Sequence, residues 1–165
     1  MSLNEDIAAI ARQEADLHFD GFTEADAFRL GNLVHAEATR RALALVVNIR
    51  SAARTLFHAA TPGSAPDNDD WIRRKSNTAL RVNRSSYGYG LGLRERGESI
   101  DPGRGMEPLD YAAHGGAFPI RVRGTGVVAA LTVSGLPQRE DHRLAVWAVC
   151  TFLGIDPAAY DLPSA

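Results

Sequence analysis

Residues 114–142 read HGGAFPIRVRGTGVVAALTVSGLPQREDH, and this stretch decides the fold. Two apolar, β-branched runs, 117–122 and 127–134, flank Arg123-Gly124-Thr125-Gly126. That is the composition of a strand, a tight turn and a returning strand. Gly135-Leu136-Pro137 closes the hairpin and opens a helix with Glu140 and Asp141 in its first turn. Carboxylates there face the positive end of the helix dipole. Leu144, Trp147, Ala148, Thr151 and Phe152 then recur at helical spacing as far as Gly154.

Upstream, residues 43–49 (LALVVNI) form a short continuous apolar run, which predicts a strand buried on both faces. Residues 54–60 are its expected hairpin partner after a turn near Ser51-Ala52, and 61–66 (TPGSAP) form a loop. Asp69-Asp70 suits the cap of a helix running from about Trp71 to Arg84, with a second helical segment to Arg94. The glycines and prolines of 97–108 predict a long surface loop. At the other end, Ser2-Leu3-Asn4-Glu5 has capping-box form, and Leu3, Ile7, Ile10 and Leu17 predict a helix over 3–18. Thr23-Glu24-Ala25-Asp26 resembles a second cap, followed by the stripe Ala27, Leu30, Val34 and Ala38. The order α-α-β-β-α-β-β-α predicts an α+β fold, an antiparallel sheet built from two hairpins with helices to one side.

At 165 residues, 45% apolar and 23% charged, the chain has the composition of one globular domain spanning 1–165. A net charge of −2 argues against nucleic acid as a partner. No apolar run reaches the roughly 18 residues of a membrane span. The acidic, amphipathic start lacks the form of a secretory signal, and the single Cys150 permits no internal disulfide. A cytoplasmic setting is the expectation. Charge is unevenly spread: residues 1–39 carry eight acids against Arg12 and Arg29, and residues 71–96 carry seven bases against Glu95. Patches of that size suit pairing within the chain or between subunits.

Several motifs carry less chemistry than they suggest. Gly124-Thr125-Gly126-Val127-Val128-Ala129 matches the dinucleotide fingerprint, yet a strand and not a helix follows it. His114-Gly115-Gly116 has the form of an esterase oxyanion turn, but the chain holds no G-x-S-x-G nucleophile elbow. The two glycines can instead leave amides open to a small anion. The five histidines show no metal-binding spacing, so a metal would need convergence from separate elements, such as His58, His114 and Asp141 or His142. Arg74, Asn77, Arg81 and Arg84 share one helical face suited to carboxylates or phosphates, or to solvent and subunit contacts.

TPGS at 61–64 with Asp67-Asn68, Trp71-Ile72-Arg73-Arg74-Lys75 and Ser85-Ser86 forms one element. HGGAFPIRV at 114–122 and VVAALTVSGLPQREDH at 127–142 follow in order. Together, over roughly residues 5–155, they resemble an uncharacterised branch of the GlcG–HbpS-like superfamily, the heme-degrading domain. The resemblance implies a profilin-like α+β fold, assembly into homo-oligomers and, for part of the superfamily, an association with heme. It assigns no reaction and no catalytic residue.

The expected binding site lies between the helix at Trp71 and the glycine turn. There Lys75 or Arg74 would meet negative charge, Gly115 and Gly116 would present amides, and Trp71 would form an apolar wall. His58, His114 and His142 would supply a proton or ligate iron, and Asp141 is a further candidate ligand-binding residue. The expectation is a soluble homo-oligomer that binds a small anionic ligand or a protein partner. Its alternative is a heme-handling protein with a histidine as ligand or base.

Overall fold

The computed structural model describes residues 3–163. The helices are α1 (Leu3–Asp16), α2 (Glu24–Arg40), α3 (Asp67–Val82), α4 (Ser86–Glu95) and α5 (Gln138–Leu153). The strands are β1 (Val46–Arg50), β2 (Thr55–Ala60), β3 (Ala117–Val122) and β4 (Gly126–Ser134). Two hairpins lie side by side in one antiparallel sheet of order β2-β1-β4-β3. The α+β order is the one the sequence predicts.

The sheet is covered on both faces, not one. Val47, Ile49, Phe118, Ile120, Ala129, Leu131 and Val133 point to α2 and α5 and form the main core. Alternate residues of the same strands, among them Asn48, Ala117, Ala130 and Thr132, are buried beneath α3. These are small or polar side chains, and Ala79 and Ser76 of α3 pack onto them. The Ser76 hydroxyl lies 2.8 Å from Thr132 Oγ1, so the second face is closed by hydrogen bonding as well as by area. An alternating strand under a helix on each side carries large residues one way and compact ones the other.

Local signals place most boundaries. Thr23 caps α2 in a reciprocal box with Asp26, and Gly154 ends α5 in the left-handed region. The helix expected from Trp71 starts four residues earlier, at Asp67. Asp69 and Asp70 therefore lie in its first turn and do not cap it. The strand expected over 43–49 is shifted to Val46–Arg50. The expected Ser2 cap lies outside the described residues.

The charge asymmetry is resolved mostly elsewhere than between the two patches. Asp6 pairs with Arg139, Asp20 with Arg123, Asp26 with Arg29 and Glu37 with Arg40. Glu14–Arg84 is the ion pair that joins the two segments among the described residues. The basic face of α3 grips the 104–110 loop by its carbonyls. Arg73 donates to Leu109, Arg74 to Pro108, Asn77 to Asp110 and Arg81 to Arg104. The stripe is thus a clamp on a loop and not an open anion site. No helix among the described residues is long and apolar enough to cross a membrane.

Candidate functional site

Asn68, Trp71 and Lys75 project from one face of α3, as spacings of three and four require. They meet His114 and Gly115, the Ser134–Leu136 connection, and Gln138 and Asp141 of α5 around a cleft of about 240 Å³. Of the residues singled out by sequence, Trp71, Lys75, His114, Gly115 and Asp141 line it.

A buried ion pair holds the cleft together. Lys75 Nζ donates to Gly115 O at 2.9 Å, to Val133 O at 2.8 Å and to Asp141 Oδ2 at 3.0 Å. Asp141 Oδ1 accepts from Leu136 N at 3.0 Å. Both side chains are only 3% exposed. Burial lowers the pKa of Lys75 and raises that of Asp141, and their mutual attraction opposes both shifts. An ammonium has three protons, and all three are used here. Lys75 is a tie between α3, the glycine turn, β4 and α5, with no donor left for a ligand.

The glycine turn is shaped by crowding. A Cβ on Gly115 would stand 2.1 Å from Gln138 O, and one on Gly116 would stand 2.3 Å from Val133 O. Gly116 also holds φ +134°, which side chains rarely adopt. Ser86 of α4 pins both sides of the turn: its hydroxyl donates to His114 O at 2.6 Å and accepts from Ala117 N at 3.1 Å. The Gly115 amide is taken by Gln138 Oε1 at 3.3 Å.

His114 is the uncommitted titratable group. Its ring meets Trp71 edge-on at 4.8 Å, and neither ring nitrogen has a hydrogen-bond partner among the described residues. Burial lowers its pKa, and the positive charges of Lys75 and Arg74 lower it further. The cleft therefore favours the neutral imidazole. Trp71 is fixed by its Nε1–H donating to Asp67 at 2.9 Å and by Arg74 stacked 4.6 Å over its ring.

The remaining histidines lie elsewhere. His58 Nε2 donates to Asp69 Oδ1 at 2.9 Å, and its Nδ1 accepts from Asn48, tying β2 to the first turn of α3. His142 follows Asp141 but points about 100° away around α5 into the interior. It is fully buried, between Tyr87 and Phe118, with its Nε2 2.8 Å from Gln13 Oε1. Gln13 Nε2 donates onward to Tyr160 O, so His142 is the donor and its buried Nδ1 has no partner. Burial drives its pKa down to about 3. The convergence of His58, His114 and Asp141 or His142 on a metal does not occur, and no group of three such ligands forms among the described residues. Cys150 is buried in α5 with its pKa raised by burial to about 11.

Asn68, Ser134 and Gln138 are cleft residues that sequence reasoning left out. Gln138 carries a usable signal, as the first residue of a helix that follows a glycine-proline turn. Ser134 carries none, because it ends an apolar run.

Residues 22–150 match the family model described as "Haem degrading protein HbpS-like". A UPF0303 protein of Acidobacterium capsulatum is 48% identical over 165 residues, covering all of both chains. The solved structure of Ybr137w protein aligns with a TM-score of 0.82 at 32% identity, over 90% of this chain and 87% of that one. The PduOC:Heme complex aligns with a TM-score of 0.67 at 16% identity, over 79% of this chain and 94% of that one. That last likeness is one of fold.

Proposed function

This chain belongs to the HbpS-like family, and we propose that it is a binding domain for a small anion seated in the cleft between α3, the glycine turn and α5. One observation carries the reading: His114 lines the cleft against Trp71 with neither ring nitrogen bonded among the described residues, so it is the group left to meet a ligand there. A protonated imidazole donates a charge-assisted hydrogen bond to an anion. Lys75 acts there at a distance, since its protons are used, and His114 is the contact group. Asn68 and Gln138 offer side-chain amides beside it, and Trp71 supplies the wall.

Binding is then linked to protonation. The free imidazole has a depressed pKa, and an anion beside it raises that pKa again, so binding takes up a proton. Affinity rises as pH falls from about 7 to about 5. Sulfate is a suitable probe because its charge is constant over that range. Calorimetry in two buffers of different ionisation enthalpy is expected to show proton uptake. His114→Gln is expected to weaken sulfate about tenfold and to flatten the pH dependence. Unchanged sulfate affinity in His114→Gln would remove the proposal.

Heme, the group in the family description, does not fit inside this cleft. His114 offers one neutral imidazole and Trp71 an aromatic wall. A volume of about 240 Å³ nevertheless falls below the roughly 300–1,000 Å³ of pockets that enclose drug-sized ligands, and a porphyrin is larger than most of those. His142, the nearest other histidine in sequence, is sealed in the core.

The domain also self-associates in this reading, through the outer edge of β2. β2 (TLFHAA) contains no proline and no Lys, Arg, Asp or Glu, and its outer edge pairs with no strand among the described residues. At the opposite edge, Phe19 bridges to β3 through the Phe19 N–Arg121 O and Arg123 N–Phe19 O bonds. An unprotected antiparallel edge pairs with its own copy about a two-fold axis. Light scattering is expected to give a multiple of 17.8 kDa that is insensitive to salt, because most charges are paired within the chain. Lysine at both Thr55 and Ala60 is expected to return the mass to that of one chain. A monomeric wild type would overturn this part of the reading. A cytoplasmic setting accords with the buried, unpaired Cys150.

A further inference from the structure

A second cleft lies on the outer side of α5, bounded by the end of α2 and the turn at Pro157–Tyr160, with a volume of about 290 Å³. Its charges are unequal in a useful way. Arg143 donates to Asp161 Oδ1 at 2.7 Å and to Glu140 at 3.2 Å, so one guanidinium holds both acids of the lining. Arg41 is the other cation of the lining, and it has no hydrogen bond or ion pair from its side chain among the described residues. The carboxylate nearest it in sequence, Glu37, is held by Arg40 through two bonds of 2.8 Å. The cleft therefore keeps one guanidinium with no hydrogen bond or ion pair among the described residues, although Glu37 still feels its charge.

The rest of the lining is apolar or closed. Leu136, Leu144, Trp147 and Pro157 form the walls, and the Trp147 indole N–H has no hydrogen-bond partner among the described residues. At the floor Gln13 is 1% exposed, and both ends of its amide are spent, on His142 and on Tyr160 O. A floor amide that is buried and already engaged at both ends offers little to a ligand, whereas apolar walls reward an apolar body. A single guanidinium fork matches a carboxylate in charge and in geometry.

We propose that this cleft binds a small monocarboxylate with a compact apolar or aromatic body. Its carboxylate pairs with Arg41, and its body lies against Trp147. The site is separate from the His114 cleft. Leu136 alone lines both, and the two clefts differ in their charged contact, Arg41 in one and His114 in the other.

Phenylacetate tests the proposal, with phenylacetamide as its neutral counterpart. The chain has two tryptophans, so the indole N–H region of a ¹⁵N–¹H spectrum holds two signals, and Trp147→Phe identifies the relevant one. Phenylacetate is expected to shift the Trp147 signal to saturation, with phenylacetamide weaker by about tenfold or more. Arg41 is exposed, so Arg41→Gln keeps the fold and is expected to weaken phenylacetate by a similar factor, while Arg41→Lys falls between. His114→Gln is expected to leave the phenylacetate response intact even though it weakens sulfate binding. An Arg41→Gln variant that binds as tightly as wild type would overturn the proposal. So would equal affinity for the amide, or a Trp147 signal unmoved at about 10 mM ligand, a concentration that detects even weak binding.

Discussion

Replacing Lys75 by methionine is expected to lower the unfolding free energy by about 3–5 kcal/mol, read from urea denaturation at neutral pH. Methionine nearly matches the lysine stem in volume, so little of this arises from a cavity. The cost lies in what is left behind. Asp141 becomes a carboxylate 3% exposed with no counter-charge, and Gly115 O and Val133 O lose their shared donor. Asp141→Asn is expected to be milder, because Lys75, already driven toward its neutral form by burial, can give up its proton. The double variant Lys75→Met/Asp141→Asn is expected to recover much of the loss, since no buried charge then remains. A single Lys75→Met variant within about 1 kcal/mol of wild type would show that the tie is dispensable. The same change is also expected to weaken sulfate, because the cleft is held in shape by Lys75.

Acid is expected to destabilise the protein through His142, and the sign follows from the direction of its shift. In the unfolded chain a histidine takes up its proton near pH 6.5, whereas in the folded chain His142 does so only near pH 3. Between those values the unfolded state binds more protons, so stability is full above about pH 6.5 and falls as pH falls toward 3. The complete shift corresponds to a loss on the order of 4 kcal/mol at its lower limit. Glutamine can place an N–H where His142 Nε2 stands and keep the bond to Gln13, but it does not titrate. His142→Gln is therefore expected to flatten the pH dependence of the urea midpoint between about pH 6.5 and pH 4. Asp141, with its raised pKa, contributes the opposite slope in both proteins, so the difference between them isolates His142. Parallel profiles for the two would refute the assignment.

The hairpin at 117–134 and the helix after it were legible because their signals are local. Alternation, a Gly-Thr-Gly turn and a proline before the first helical residue each act within a few positions. The second face of the sheet was not legible as such. Asn48 and Thr132 look like interruptions of apolar runs, and only pairing in register shows them sharing a compact layer beneath Ser76 and Ala79. The cleft was partly legible. Trp71, Lys75, His114, Gly115 and Asp141 do meet, since the helix start and the glycine turn both sit at one end of the sheet. What sequence could not supply was the commitment of each group. Lys75 reads as a free cation and is fully bonded, whereas Arg41, at the unremarkable end of a helix, has no hydrogen bond or ion pair from its side chain among the described residues. Asp141 and His142 are neighbours in the chain and belong to different interiors.

The two glycines after His114 have a consequence for reading such motifs. Each sits where an added carbon would come within 2.3 Å of a backbone oxygen, one on α5 and one on β4. The pair therefore works as a spacing gauge, recording how near two pieces of main chain run to the turn. In this chain the His-Gly-Gly motif marks that narrow seam, whatever the cleft binds. The motif is a statement about wall thickness, and the chemistry is written in the side chains that face the space beyond it.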